Sequence, residues 1–142
     1  MPISLTNDMM RQIIMDHYSN PNNKRTPDES YEKVHMHSDN CIDDLNIFLK
    51  VENGNVIDAC FDGVACTIST ASTDIMCDLL KEKTIDEAKY IINQYLNMIH
   101  EEPFDEDALE EAIVFINTSK QAARIRCATI GWNGATNILK DK

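Results

Sequence analysis

The chain has 142 residues, of which 43% are hydrophobic and 26% charged, and its formal net charge at pH 7 is −11. This length is typical of one domain and suffices to bury a core without a disulfide or metal staple, so we expect residues 1–142 to form a single domain. The negative charge argues against a nucleic-acid partner and an anionic membrane surface, because both attract patches of lysine and arginine.

Neither the N-terminus nor any apolar run suggests a secreted or membrane protein. The first ten residues, MPISLTNDMM, contain no basic segment followed by a hydrophobic run, as a signal peptide would. The longest apolar stretch, residues 112–116, is far too short to cross a bilayer. We therefore expect a cytoplasmic protein, in which five cysteines favour metal binding or catalysis over disulfides.

The N-terminal segment predicts a helix that Thr6 or Asn7 caps and that the turn of residues 20–23 ends. Its apolar stripe, at helical spacing, consists of Met10, Ile13, Ile14 and His17.

Residues 31–62 predict three antiparallel strands. Apolar and polar side chains alternate over residues 45–52 with the period of two that is typical of a strand with one buried face. The dipeptide Asn53-Gly54 then predicts a hairpin turn, since both residues tolerate positive φ. The residues expected to face the core from the returning strand are Ile57, Ala59 and Phe61.

After Gly63 the periodicity becomes helical. A first helix is expected to end near Lys83, and Thr84 with Glu87 forms a capping box that opens a second helix. A short helix that Asp105 or Asp107 caps is expected to run through Ile116, and a long helix over residues 121–139 completes the chain.

Two glycines within the long helix, Gly131 and Gly134, indicate that its second half is either weaker or closely packed. Strands followed by helices indicate an α+β fold, a small three-stranded antiparallel sheet packed against a layer of four to five helices.

Three cysteines, Cys41, Cys66 and Cys127, lie where loops meet structured segments. The predicted hairpin brings Cys41 and Cys66 to the same end of the sheet. Cys66 opens a helix and Cys127 lies near the start of another, where the positive end of the helix dipole favours thiolate. Asp43, two residues after Cys41 on an extended segment, points to the same side of the chain as Cys41.

Three sulfurs and one carboxylate suffice to complete a tetrahedral zinc shell or to hold an iron–sulfur cluster. The other two cysteines, Cys60 and Cys77, are expected to face solvent without a role, from their positions on the predicted strand and helix. The histidine spacings fit no standard zinc motif, so we assign no ligand among His17, His35, His37 and His100.

Three motifs resemble the U-type iron–sulfur scaffold family, and the SufU branch more than the IscU branch. The motifs and their flanks cover residues 11–24, Cys41-Ile42-Asp43, residues 61–72 and residues 123–132. Cys66 and Cys127 lie 61 positions apart, similar to the longer interval of SufU-type proteins. Arg126 stands where IscU-type proteins carry a histidine, and their Pro-Pro-Val-Lys segment is missing.

The resemblance implies a zinc site and a partner. It implies that Cys41, Asp43, Cys66 and Cys127 bind Zn²⁺, and that Cys41 accepts persulfide sulfur from a PLP-dependent, SufS-like cysteine desulfurase. Arg124 would lie near the site, beside Asp43 or the persulfide. Recipients of the sulfur would be a downstream iron–sulfur scaffold or apo-proteins.

Two departures and three functional hypotheses remain. Ile42 and Ala65 replace glycines of the family, which is costly if those positions need positive φ.

The first hypothesis is a zinc-dependent sulfur acceptor, or sulfurtransferase. The second is a non-enzymatic scaffold that assembles a transient [2Fe–2S] cluster on the same ligands, and the third is a purely structural zinc adaptor.

Overall fold

The computed structural model describes residues 5–38 and 42–142. In the described part of the chain, no helix is long and apolar enough to cross a membrane. The elements, in chain order, are α1 Asn7–Ser19, β1 Glu32–His37, β2 Asp44–Glu52, β3 Asn55–Val64, α2 Thr67–Leu80, β4 Lys83–Thr84, α3 Ile85–Ile99, α4 Glu106–Leu109, a 3₁₀ helix Glu110–Lys120 and α5 Ala122–Leu139.

The predicted α+β class is confirmed, but the sheet has four strands where three were expected. Its order is β1-β2-β3-β4, and all neighbouring strands are antiparallel. The fourth strand is only Lys83–Thr84, which pairs with Asn55 and Val56 after the hairpin. A two-residue strand carries no alternation that a sequence pattern can reveal.

A bulge in the hairpin overturns one predicted core residue. Lys50 pairs with Asp58 but Val51 pairs with Val56, so Ile57 is an extra residue on β3. Because a bulge shifts the alternation by one position, Val56 takes the core position and Ile57 is 39% exposed. The other two expected core residues, Ala59 and Phe61, are fully buried.

Cys60 is fully buried, so its expected exposure is wrong. It lies on the sheet face opposite to Phe61, and the connection between α1 and β1 covers that face. Arg25 pairs with the backbone of Phe61, and its guanidinium binds Asp58 at 2.7 Å. Tyr31, further along the connection, also donates to the Asp58 carboxylate. A polar connection therefore buries a face that the strand pattern marks as exposed.

The predicted exposure of Cys77 is wrong for a similar reason. Helix α2 lies in the centre of the molecule, in contact with α1, α5, the 3₁₀ helix and β3. Its residues are buried almost all round, Cys77 completely. Burial raises the pKa of the Cys77 thiol well above its usual range, so this cysteine is a core residue and not a nucleophile.

The helix boundaries follow the capping residues closely. Thr6 caps α1, and Thr84 with Glu87 forms the predicted capping box of α3. Asp105 caps α4, but that helix ends at Leu109 and the chain continues as a 3₁₀ helix through Lys120 instead of one helix through Ile116.

The glycines of α5 are closely packed, which resolves the alternative that the sequence left open. A Cβ at Gly131 would collide with the Oγ1 atom of Thr73, and one at Gly134 would lie 2.9 Å from Ile47 Cγ1. Glycine at these positions lets α5 approach α2 and the sheet.

We expect Gly131→Ala to lower the free energy of unfolding by about 1–3 kcal/mol, the usual cost of overpacking. The hydroxyl of Thr73 is buried without a hydrogen-bond partner among the described residues, so Thr73→Ala removes both the collision and an unsatisfied group. Chemical denaturation of the two single variants and the double variant should show that Thr73→Ala rescues most of the loss. Equal costs of Gly131→Ala in both backgrounds would contradict the packing argument.

Candidate metal centre

Three potential metal ligands from separate segments meet at one end of the sheet. Asp43 immediately precedes β2, Cys66 caps α2, and Cys127 lies within α5. A carboxylate oxygen of Asp43 and the two sulfurs all lie within 4.8 Å of one another. Asp43 is fully buried and Cys127 nearly so, whereas Cys66 is half-buried.

Strand pairing sets the distance between Asp43 and Cys66. Asp44 at the start of β2 pairs with Val64 at the end of β3, so the residues on either side of this pair approach each other. Gly63 has φ +112°, and a Cβ there would collide with the Asp44 carbonyl oxygen. This glycine is therefore needed where the strands separate to form the site. The expected convergence of Asp43 and Cys66 thus follows from the hairpin.

The Asp43 carboxylate is held by hydrogen bonds from both sides. The Cys66 backbone N–H donates to Oδ1 at 2.9 Å, and the Ser69 hydroxyl donates to Oδ2. Ser69 also contacts Cys66, with its Oγ atom 3.3 Å from the sulfur and its N–H donating to the sulfur at 3.5 Å. Ser69 therefore orients two of the three ligands, a role that the sequence did not reveal.

A buried polar network fixes the helix that carries Cys127. The carbonyl of Ala128 accepts hydrogen bonds from Ser72 at 2.7 Å and from Tyr95 at 2.8 Å. The indole N–H of Trp132 donates to Ser72 at 2.9 Å, and its ring stacks on Tyr95 with 3.8 Å between centroids. These contacts attach α5 to α2 and α3 next to the cysteine.

The thiol of Cys127 does not benefit from the helix dipole as expected. It is the sixth residue of α5, beyond the first turn where the dipole acts. Burial, with smaller contributions from the neighbouring Cys66 sulfur and from Asp43, raises the pKa of the Cys127 thiol to about 12. Without a bound cation this sulfur therefore carries its proton at neutral pH.

The donor set suits zinc. Zinc–ligand bonds of about 2.0–2.3 Å imply ligand-to-ligand distances of about 3.5–4 Å in a tetrahedron, which the observed spacing permits. Cys41, the predicted fourth ligand, lies outside the described residues. Arg124 is exposed on the first turn of α5.

Two exposed apolar residues lie close in the chain to the ligands Asp43 and Cys66. Ile42, two residues before Asp44, is 63% exposed, and Val64, which pairs with Asp44, is 62% exposed. Ala65 does not adopt positive φ, so replacement of the family glycine costs no backbone strain at this position.

A second cluster of titratable side chains, which the sequence did not predict, lies on the other side of α2. His17 of α1 places its Nδ1 atom 2.6 Å from Asp74 and its Nε2 atom 2.7 Å from Glu111. The backbone N–H groups of Asn22 and Asn23 also donate to Asp74. These hydrogen bonds fasten α1 to α2 and to the 3₁₀ helix.

Two signals in the sequence point to this cluster in retrospect. Asp74 and Asp78 are the two charged residues of the helical stretch Thr67–Leu80, and His17 continues an apolar stripe. The sequence pattern does not show that they face each other, since they lie 57 positions apart.

Comparison with known proteins places the chain in a family. The family model described as NifU-like N terminal domain matches residues 9–128. The chain belongs to the NifU-like N-terminal domain family. It is 35% identical over 125 residues to a zinc-dependent sulfurtransferase SufU from Bacillus subtilis, covering 87% of this chain and 84% of that protein. The resemblance to the SufU branch is thereby confirmed.

Two further relatives are similar over nearly the whole chain. An iron–sulfur cluster assembly scaffold protein IscU from Streptococcus pyogenes is 29% identical over 142 residues, which is 99% of this chain and 88% of that protein. A crystal structure titled as a SUF-system scaffold protein from Fervidobacterium islandicum superposes with a TM-score of 0.84. It covers 92% of this chain and 93% of that one at 24% identity, which supports the fold alone.

Proposed function

We propose that this chain is an iron–sulfur cluster assembly protein of the SufU type that accepts persulfide sulfur from a cysteine desulfurase at a zinc site. The convergence of Asp43, Cys66 and Cys127 within 4.8 Å of one another is the observation that carries the proposal. Membership of the NifU-like family and the name of the Bacillus subtilis relative support it. Cys41 completes the ligand set and receives the sulfur.

The residues around the site fit a role in sulfur transfer. Bound zinc would hold the ligand cysteines as thiolates at neutral pH, which the buried Cys127 thiol does not achieve alone. A metal-bound thiolate is a weak nucleophile, so one ligand has to be released before it attacks a persulfide. The exposed Ile42 and Val64 supply apolar contact area for a docked desulfurase beside the site.

We expect Cys41→Ala to abolish the stimulation of desulfurase turnover by this protein while leaving its fold intact, because the acceptor sulfur is lost. Cys60→Ala is the matched control, since it removes a buried thiol outside the site. Zinc content and desulfurase stimulation should be measured on the same preparation of each variant. Undiminished stimulation by Cys41→Ala would refute the assignment.

A scaffold that assembles a [2Fe–2S] cluster on the same ligands is the second candidate, and the name of the Streptococcus pyogenes relative favours it. Anaerobic reconstitution with iron and sulfide separates the two. A stable coloured cluster that passes to an apo-ferredoxin supports the scaffold, and zinc that persists supports the sulfur acceptor. Unfolding on zinc removal with no sulfur transfer would favour a structural adaptor.

A further inference from the structure

A groove next to the metal centre has no role in the function proposed so far. It lies between α1, the N-terminus of α2, the 3₁₀ helix and the start of α5, and its volume is about 780 Å³. Cys66 lines it at the end nearest the metal centre. The apolar part of its wall consists of Met10, Ile14, Ile68 and Val114.

The charge of the groove is opposite to that of the molecule. The chain has 24 acidic and 13 basic residues, yet no acidic residue lines the groove, and Arg11, Lys120 and Arg124 all do. Arg11 forms an exposed ion pair with Asp8 on the same helix. Within residues 5–38 and 42–142, no carboxylate pairs with Lys120 or Arg124. A basic groove in a chain of net charge −11 selects for an anionic ligand.

Backbone and amide groups add neutral hydrogen-bond donors to this positive surface. Helix α5 begins after Gln121, whose side chain makes no capping hydrogen bond, so N–H groups of its first turn remain for a ligand. Asn7, Asn117 and Gln121 also line the groove, with side-chain amides that donate to carboxylates. The cations, amides and helix terminus together suit more than one carboxylate.

We propose that this groove binds a small thiol that carries two carboxylates, such as a peptide thiol, with its sulfur at the Cys66 end. The volume lies in the range of small-molecule sites, and the apolar wall accommodates a short carbon chain. This inference rests on the proposed function, because a sulfur acceptor needs a compound that takes the sulfur away.

The transfer step is balanced without an oxidant or reductant. The thiolate of the ligand attacks the outer sulfur of a cysteine persulfide and forms a new S–S bond. The S–S bond of the protein persulfide breaks, and its electron pair leaves with the cysteine sulfur as thiolate. The proton stays on the transferred sulfur, so a thiolate and a persulfide give a persulfide and a thiolate.

Binding is tested with S-methylglutathione, which keeps both carboxylates but has no thiolate to ligate zinc or to accept sulfur. In the zinc-loaded protein, calorimetry should detect binding at millimolar probe concentration, and amide NMR shifts should map to Thr67 and Lys120. The double variant Arg11→Gln/Lys120→Gln should bind at least tenfold more weakly. Lys33→Gln/Lys140→Gln, two exposed lysines outside the groove, is the matched control and should bind as the parent does.

Three results would overturn the proposal. The first is that the probe does not bind, and the second is that its diethyl ester binds as tightly as the probe. The third is that an acidic peptide binds and the probe does not, which would make the groove a protein-docking surface. Sulfur release supplies a separate readout. The Arg11→Gln/Lys120→Gln variant should release persulfide sulfur more slowly to glutathione but at an unchanged rate to uncharged dithiothreitol. If the desulfurase forms no persulfide on the protein, so that neither thiol releases sulfur, the proposed function is refuted. The groove proposal is still tested separately, because the binding experiment needs no persulfide.

Discussion

Replacing Asp43 with asparagine should weaken zinc binding by about 100-fold or more without unfolding the protein. Loss of a second-shell partner already costs about 10–100-fold in metal affinity, and a ligand costs more. The amide oxygen can still accept the hydrogen bond from the Cys66 N–H at the Oδ1 position, and the amide NH2 at the Oδ2 position can donate to the Ser69 hydroxyl oxygen. The metal-free free energy of unfolding should therefore change by less than about 1 kcal/mol.

The neighbouring residue provides a matched control for this variant. Asp44 is exposed and pairs with His35 instead of pointing into the site. Asp44→Asn removes the same charge one position away and should leave zinc affinity unchanged. Competition with a chromogenic chelator measures the affinities, and denaturation in EDTA measures the stabilities. Full zinc affinity in Asp43→Asn would exclude the carboxylate as a ligand and with it the proposed site.

Replacing His17 with glutamine should remove about 3 kcal/mol of stability at pH 6 and very little at pH 10. The hydrogen bond that His17 donates to Asp74, with a further contribution from Glu111, raises the pKa of the His17 imidazole from 6.5 to about 9 despite its burial. A shift of this size corresponds to about 3 kcal/mol of preference for the charged form in the folded state. Loss of one partner from a buried ion pair has a similar cost.

The sign of the pH dependence follows from the raised pKa. The stabilisation is complete below the unfolded value of 6.5 and is lost as the pH rises through about 9, where the folded state gives up the proton. The difference in free energy of unfolding between parent and His17→Gln should therefore shrink steadily from pH 6 to pH 10. Titrating groups that do not contact His17 contribute equally to both proteins and cancel in this difference.

Urea denaturation in EDTA at several pH values measures this difference. His35→Gln is the control, because His35 is an exposed histidine whose carboxylate partner, Asp44, is exposed as well. Its effect should stay below about 1 kcal/mol at every pH. A pH-independent cost of His17→Gln would show that the side chain stabilises α1 by packing and not by charge.

Local patterns in the sequence predicted most of the fold. Alternation over β2, the Asn53-Gly54 turn and the Thr84–Glu87 capping box depend on residues a few positions apart, and all three appear in the structure. The hairpin also implied that the segments before β2 and after β3 meet. The approach of Asp43 to Cys66 could therefore be inferred before any coordinates were known.

The sequence by itself determined which residue types were present for a metal centre and, through the hairpin, that two of them would meet. Only the tertiary structure decided which side chains are covered. Cys60 and Cys77 are buried because the α1–β1 connection and the neighbouring helices pack over them. The pairing of His17 with Asp74 and the basic groove beside Cys66 depend on the packing of α1 and the 3₁₀ helix around α2. Periodicity reports one buried face of an element, whereas burial and pairing depend on everything that packs against all of its faces.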